Sequence, residues 1–144
     1  MSICIKRVLF AVVCLTLLSM PLSAQRGRPS GGGGGGSTAC AIATTPQLST
    51  STAAPGINVG VFSRITNCST GKARYTVTVS AVSSCGEETI IASSIISFNG
   101  GEAKLISVSY PIAPDTCVGV SSVFVNVYSG GTLLASQSAP LTIE

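Results

Sequence analysis

The segment Ala73-Arg74-Tyr75-Thr76-Val77-Thr78-Val79-Ser80-Ala81 decides the fold. Its odd-numbered positions carry Ala, Tyr, Val, Val and Ala, whereas its even-numbered positions carry Arg, Thr, Thr and Ser. Because successive side chains of a strand point to opposite faces, the segment predicts a strand with one apolar and one polar face. Such a half-buried strand is typical of an antiparallel sheet that packs one side on a core.

Six further segments have strand-like composition, and turn residues separate them. They are residues 39–45, 57–65, 89–98, 103–110, 123–128 and 132–143. Asn99-Gly100 and Gly130-Gly131 are strong hairpin signals. No segment of helical length has an apolar stripe at a spacing of 3.6 residues. The sequence therefore predicts an all-β domain over residues 39–144, built as a seven-stranded antiparallel sandwich of two sheets.

Three segments carry a resemblance to known secreted modules. They are Pro55-Gly56, Ile65-Thr66-Asn67-Cys68-Ser69-Thr70-Gly71 and Val123-Phe124-Val125-Asn126-Val127-Tyr128-Ser129-Gly130. With these segments, residues 54–143 resemble bacterial immunoglobulin-like and fibronectin-III-like modules, including adhesion-related domains of the CARDB type. The resemblance implies an immunoglobulin-like sandwich and a non-catalytic role in adhesion or spacing. One such fold hosts many functions, so this inference rests on analogy.

Four cysteines fall within the predicted domain: Cys40, Cys68, Cys85 and Cys117. If consecutive strands are antiparallel, Cys40 and Cys68 lie at one end of the sandwich. Cys85 and Cys117 then lie at the other end, on strands that are neighbours in an immunoglobulin-like sandwich. Because a disulfide joins Cα atoms about 5.5–6 Å apart, this arrangement favours Cys40–Cys68 and Cys85–Cys117 over the other two connectivities. The chain has no histidine and no Cys-x-x-Cys spacing, which disfavours a metal site.

The N-terminus has the three parts of an export signal. Two basic residues precede an apolar run over residues 8–20, Pro21 ends the run, and Ala24 offers a small residue for signal peptidase. The run is shorter than the ~20 residues of a membrane-spanning helix. The sequence therefore predicts a signal peptide over residues 1–24, no membrane span after cleavage, and a secreted or periplasmic domain with disulfides. An uncleaved N-terminal anchor is the alternative, which the small-residue site disfavours.

A glycine-rich segment over residues 25–38 follows the predicted signal. It contains Arg26-Gly27-Arg28 and the six consecutive glycines Gly31 to Gly36. It has too little apolar surface to offset the entropy of ordering, so we expect a disordered tether. Residues 25–144 carry six basic and five acidic side chains, a net charge of +1. This composition lacks the cationic footprint of a nucleic-acid-binding protein.

Catalytic constellations are missing from the sequence. Without histidine, neither a Ser-His-Asp nor a Cys-His arrangement can form. Glu87 and Glu88 are adjacent, so their side chains point apart and do not face each other as a glycosidase pair does. We therefore predict no catalytic residues, no cofactor and no enzymatic activity.

Three aromatic residues are candidates for a contact site. Phe62, Phe124 and Tyr128 alternate with inward-facing valines, which predicts an outward-facing aromatic strip. Exposed aromatic side chains are typical of binding surfaces. The alternative is that a loop or a second sheet covers them. The sequence thus predicts a non-catalytic binding or structural module of the bacterial cell envelope or exterior, with an unknown protein or glycan as partner. A pilus-type subunit and a carbohydrate-binding or small-ligand-binding sandwich are the alternatives.

Overall fold

The computed structural model describes residues 38–144, which form an all-β fold of nine strands in two sheets. The predicted signal peptide over residues 1–24 and the predicted tether, apart from Thr38, lie outside the described residues. The strands are β1 (Ala41–Ala43), β2 (Gln47–Leu48), β3 (Thr52–Ala53), β4 (Asn58–Asn67), β5 (Ala73–Val82), β6 (Glu88–Phe98), β7 (Ala103–Pro111), β8 (Gly119–Ser129) and β9 (Thr132–Ile143). Within residues 38–144 we find no helix with the length and apolarity that crossing a membrane requires.

The two sheets differ in size. The four-stranded sheet is centred on β4, which pairs with β1 and β2 on one side and with β7 on the other. The five-stranded sheet has the strand order β3-β9-β8-β5-β6. Every pair is antiparallel except β3–β9, which is parallel. The chain changes sheet between β6 and β7, so these two strands lie along the same side of the sandwich.

The prediction of seven antiparallel strands is wrong in its count and in one pairing. The first predicted strand, residues 39–45, ends early as β1, because Pro46 cannot donate a backbone hydrogen bond. The chain resumes as β2 and then crosses to the other sheet as β3, which runs parallel to β9. These two added strands have two residues each, too few for an alternating pattern to show in the sequence. The pairings do not confirm an immunoglobulin-like strand order.

The core lies between the two sheets and is built from alternating positions of the long strands. The predicted strand over residues 73–81 is β5, and its odd-numbered side chains point inward as expected. The inward side chains of β4, β5 and β8 that are 3% exposed or less include Val59, Val61, Ile65, Tyr75, Val77, Val79, Val123, Val125 and Val127. Full burial of such a side chain contributes ~1.5–3 kcal/mol, so the alternation seen in the sequence is also the main source of stability.

Both disulfides have the pairing that the strand directions predict. Cys40–Cys68 joins the residue before β1 to the residue after β4, with Cα atoms 5.1 Å apart. Cys85–Cys117 joins the segment after β5 to the segment before β8, with Cα atoms 6.1 Å apart. Each bridge therefore closes one end of the sandwich between neighbouring strands of a single sheet. Disulfides are typical of extracytoplasmic proteins, in which the surroundings are oxidising.

The β6–β7 turn packs closely against the loop that follows β4. The Gly101 N–H donates to the Ser69 carbonyl at 3.1 Å. A Cβ atom on Gly100 would overlap the backbone carbonyl of Thr70, whereas a Cβ atom on Gly101 would meet nothing within 4 Å. Position 101 favours glycine for a different reason: its φ is +73°, a backbone conformation that other residues rarely adopt.

We expect Gly100→Ala to lower the free energy of unfolding by about 3 kcal/mol, since the new methyl group would push two backbone segments apart. Gly101→Ala is the matched control and should cost about 1 kcal/mol, because it strains only the backbone conformation. Urea unfolding followed by circular dichroism measures both. Equal losses for the two variants would contradict the close approach of Gly100 to Thr70.

Candidate binding surface

Phe124 and Tyr128 lie together on the outer face of β8, near the centre of the five-stranded sheet. They alternate with the buried valines of the same strand and are themselves partly exposed. Four residues separate them, which corresponds to about 13 Å along an extended strand. Two exposed apolar side chains lie in the same cross-strand row as Tyr128: Leu133 of the neighbouring β9 is 51% exposed, and Ile95 of β6, one strand beyond β5, is 65% exposed.

A row of polar side chains crosses the sheet between the two aromatic rings. Ser93 of β6, Thr78 of β5, Asn126 of β8 and Ser136 of β9 are consecutive cross-strand partners in this row. Ser136 Oγ donates to Asn126 Oδ1 at 2.6 Å, and the hydroxyl oxygens of Thr78 and Ser93 are 3.4 Å apart. The row carries hydroxyl and amide groups without a formal charge. We call Phe124, Tyr128 and this polar row the Phe124–Tyr128 surface.

Phe62 lies elsewhere, on the outer face of β4 in the four-stranded sheet. Its cross-strand partners are Gln47 and Ser107, and its ring lies 3.0 Å from the position that a Cβ atom of Gly60 would take. The structure therefore brings Phe124 and Tyr128 together but separates them from Phe62 by the whole core. Alternation in a sequence shows which residues of a strand point outward, but it does not show to which sheet the strand belongs.

A cleft of about 530 Å³ lies where β5, β6 and β7 meet near the Cys40–Cys68 end. Its lining includes Lys72, Arg74 and Lys104, which are three of the four basic residues between 38 and 144. The acidic residues Glu87 and Asp115 line a different cavity at the opposite end of the strands. Sequence reasoning missed this cluster because its members come from separate segments and form no local pattern.

Lys104 is held by several contacts within the cleft. Its Nζ atom donates to the Ser97 carbonyl at 2.6 Å, lies 3.6 Å from Glu102 Oε1, and sits 5.2 Å from the centre of the Phe98 ring. The backbone N–H of Asn99, which donates to Glu102 at 2.7 Å, holds the pKa of Glu102 below its usual value, and Lys104 lowers it further.

Lys72 and Arg74 have no ion-pair partner within the part of the chain that the structure describes, where Lys104–Glu102 is the one salt bridge. The cleft thus has two basic side chains without an acidic partner among the described residues, beside the Lys104–Glu102 pair.

No protein-family model matches the chain, and no curated protein matches it in sequence. Solved structures nevertheless share its fold. The β-glucosidase EmGH1 of Erythrobacter marinus is similar with a TM-score of 0.61 at 10% identity, over 74% of this chain and 16% of the enzyme. The DNA glycosylase AlkC of Pseudomonas fluorescens is similar with a TM-score of 0.61 at 15% identity, over 76% of this chain and 32% of that protein.

The CARDB domain of the PF1109 protein from Pyrococcus furiosus is also similar. Its TM-score is 0.59 at 10% identity, over 74% of this chain and 89% of that domain. The chain spans much less than half of the two enzymes above. At these identities the likeness shows the fold alone. The chain is thus an all-β, two-sheet domain with two disulfides, and one of its structural neighbours is of the CARDB type predicted from the sequence.

Proposed function

We propose that the protein is an extracytoplasmic, non-catalytic binding module that holds its partner on the Phe124–Tyr128 surface. The observation that carries this proposal is the placement of two partly exposed aromatic side chains on one outer sheet face. Their strand, β8, is hydrogen-bonded on both sides, to β5 and to β9. A contact surface that is already held in place loses little conformational entropy on binding, which favours affinity.

A non-catalytic role is supported by the chemistry of the chain and by one structural neighbour. The chain has no histidine, and within residues 38–144 no three side chains of Asp, Glu or Cys converge as metal ligands would. The similar CARDB domain is matched over 89% of its length, so the comparison there is between whole domains. The match to EmGH1 involves only 16% of that enzyme and lends little support to a catalytic role for this chain.

The proposed partner is a protein at the bacterial cell envelope or exterior. Association would depend on apolar contact, because residues 38–144 carry only nine charged side chains. Burying a phenylalanine or tyrosine ring contributes ~1.5–3 kcal/mol from area alone.

A pilus-type role has less support: such subunits accept a final strand from a neighbour, whereas here β9 occupies that place and pairs along β8.

A carbohydrate is the second candidate partner, and the polar row favours it. Ser93, Thr78, Asn126 and Ser136 present hydroxyl and amide groups between two aromatic rings. Sugars offer hydroxyl groups to such donors and acceptors, while their C–H faces stack on aromatic rings. Asn126→Ala should then weaken binding to a glycan array but leave binding to a protein partner nearly unchanged.

We expect Phe124→Ser combined with Tyr128→Ser to weaken binding to cell-envelope fractions at least tenfold, since about 1.5 kcal/mol or more of apolar contact is lost. Phe62→Ser is the matched control, because it removes a partly exposed ring from the opposite outer face. Binding is measured with the labelled domain in pull-downs and by biolayer interferometry. If the double variant binds as well as the unmodified protein, or if Phe62→Ser has the same effect, the Phe124–Tyr128 surface is not the contact site.

A further inference from the structure

The five-stranded sheet ends at β6, whose outer side has no partner strand among residues 38–144. One side of β6 pairs with β5 over its whole length, and the other side has no partner strand, although the Ser97 carbonyl accepts from Lys104 Nζ at 2.6 Å. At 11 residues this is a long edge strand. Free edges of this length are sites at which another strand can be added.

The side chains of β6 do nothing to prevent such pairing. From Thr89 to Phe98 the strand reads TIIASSIISF, without a charge, a proline or a glycine. Edge strands of soluble proteins are normally short, or carry a lysine or a proline that opposes pairing with another chain. Two other long strands with an open side have such features. The edge strand β7 contains Lys104, and β9, which β3 covers only at Thr142 and Ile143, contains Pro140. On β6, Ile90 and Ile95 are instead 67% and 65% exposed.

A bulge limits which part of this edge is regular. The pairing of β5 with β6 shifts by one residue between Val79 and Ser80, which leaves Ile91 as the extra residue. Bulges bend a strand and disturb its edge. Beyond the bulge, residues 92–98 pair without interruption with residues 73–79. Residues 92–96 of β6 therefore form a regular free edge, and Lys104 covers the strand beyond them at Ser97.

An apolar cleft of about 290 Å³ opens beside this regular edge, between the two sheets. Val77 and Val79 of β5, Ile96 of β6, and Ile106 and Val108 of β7 line it. A strand added to β6 would extend the five-stranded sheet across the mouth of the cleft. It would shield the partly exposed Ile96, Ile106 and Val108 from water, whereas the two valines of β5 are already buried. Main-chain hydrogen bonds and apolar burial would then favour the same event.

We propose that β6 is the interface through which two copies of this chain form a symmetric dimer, by antiparallel pairing of their β6 strands. With a two-fold axis at Ser94, the outward side chains of both copies lie on one face of the combined sheet, and the inward side chains of both lie on the other face. It places Ser93 opposite Ile95 on the outer face, and Ala92 opposite Ile96 on the inner face. Small side chains thus meet large ones, and no charged pair occurs in any register within residues 89–98. This absence of charge is why a second copy fits the edge.

The proposed dimer interface shares only Ser93 with the Phe124–Tyr128 surface, so it would leave that surface accessible but would affect its use. Pairing at β6 joins two five-stranded sheets into one continuous sheet, and the outer faces of both copies then lie on the same side. Two Phe124–Tyr128 surfaces would face one partner surface together. A repetitive cell surface would be bound more tightly by the pair than by one copy, because the second contact is intramolecular.

The test compares two pairs of lysine substitutions on the two free edges. Ser93→Lys with Ile95→Lys charges the outer face of β6, where like charges would oppose each other in the dimer. Ala103→Lys with Ser109→Lys is the control on β7, at two exposed positions that do not line the apolar cleft. In sedimentation velocity across a concentration series, we expect the unmodified protein and the β7 variant to dimerise. The dissociation constant of the β6 variant should rise at least about tenfold.

The register is tested by Ser94→Cys, which places two thiols opposite each other at the two-fold axis. Under mild oxidation this variant should form a disulfide-linked dimer, whereas Ser107→Cys should not. A monomer at every concentration, an assembly larger than a dimer, or equal effects of the two lysine pairs would each overturn the proposal. Failure of Ser94→Cys to cross-link a dimer that does form would overturn the proposed pairing.

Discussion

Removal of the Cys40–Cys68 disulfide by Cys40→Ala with Cys68→Ala is expected to lower the free energy of unfolding by about 3–4 kcal/mol. The bridge spans 28 residues, and by the chain-entropy model a loop of that length constrains the unfolded chain by about this amount. Domains of this size are stable by only ~5–15 kcal/mol, so the loss is a large share of the total. Urea unfolding of the double variant under oxidising conditions measures it.

The second bridge provides the matched control. Cys85→Ala with Cys117→Ala opens a loop of 32 residues, so the entropic cost should be nearly the same. The first bridge, however, lies beside a buried polar network: the Cys40 carbonyl accepts from Cys68 N at 3.0 Å and lies 2.8 Å from the Tyr75 hydroxyl. We therefore expect the Cys40–Cys68 variant to lose more. A smaller loss there than at Cys85–Cys117 would show that the network holds its geometry without the bridge.

The disulfide pairing could be predicted because it depends only on strand direction. Alternation located β5 at residues 73–81 against an observed Ala73–Val82, and the two hairpin signals located the turns that precede β7 and β9. If consecutive strands are antiparallel, the direction of each strand shows at which end of the sandwich its cysteine lies. Strand alternation and turn residues are local properties, so both can be identified in a short stretch of sequence.

The features that could not be predicted depend on contacts between distant segments. β3 pairs with β9 through residues about ninety positions apart, and its two residues carry no pattern of their own. Phe62 and Phe124 have the same outward parity, but the sheets to which they belong are set by long-range pairing. The basic cleft brings together Lys72 and Lys104, which lie on separate segments. Nothing near either residue in the sequence indicates the other.

Asn67 is a buried residue whose role also depends on contacts between distant segments. It lies at an inward position of β4 and is fully buried. Its Nδ2 atom donates to the carbonyls of Gly71 and Asn99, both at 2.8 Å. Its Oδ1 atom accepts from Ser69 N at 3.1 Å, and lies 2.6 Å from the Ser69 hydroxyl and 2.7 Å from the Tyr75 hydroxyl. One side chain thus connects the loop after β4 to the β6–β7 turn.

We expect Asn67→Ala to lower the free energy of unfolding by about 3–5 kcal/mol. The side chain of Asn67 makes five hydrogen bonds, and each contributes about 0.5–1.5 kcal/mol, although the carbonyls of Gly71 and Asn99 keep a second donor, Ser69 Oγ and Glu102 N respectively, both at 3.2 Å. The Tyr75 hydroxyl would lose one of its two acceptors. Urea unfolding measures the change, and Asn126→Ala on the outer face should cost less than about 0.5 kcal/mol as a surface control.

Asn67→Asp separates the hydrogen bonds from the volume of the side chain. Aspartate has nearly the same size, but its carboxylate has no donor for the Gly71 and Asn99 carbonyls and would place negative charge against them. We therefore expect Asn67→Asp to destabilise the fold at least as much as Asn67→Ala at neutral pH. Burial against the two carbonyls would raise the pKa of the carboxyl group, so the loss should shrink as the pH falls through that raised pKa toward about 4, below which the group is protonated in both states and can donate once. If Asn67→Asp kept the stability of the unmodified protein at neutral pH, the Nδ2 hydrogen bonds would not be what holds the two loops together.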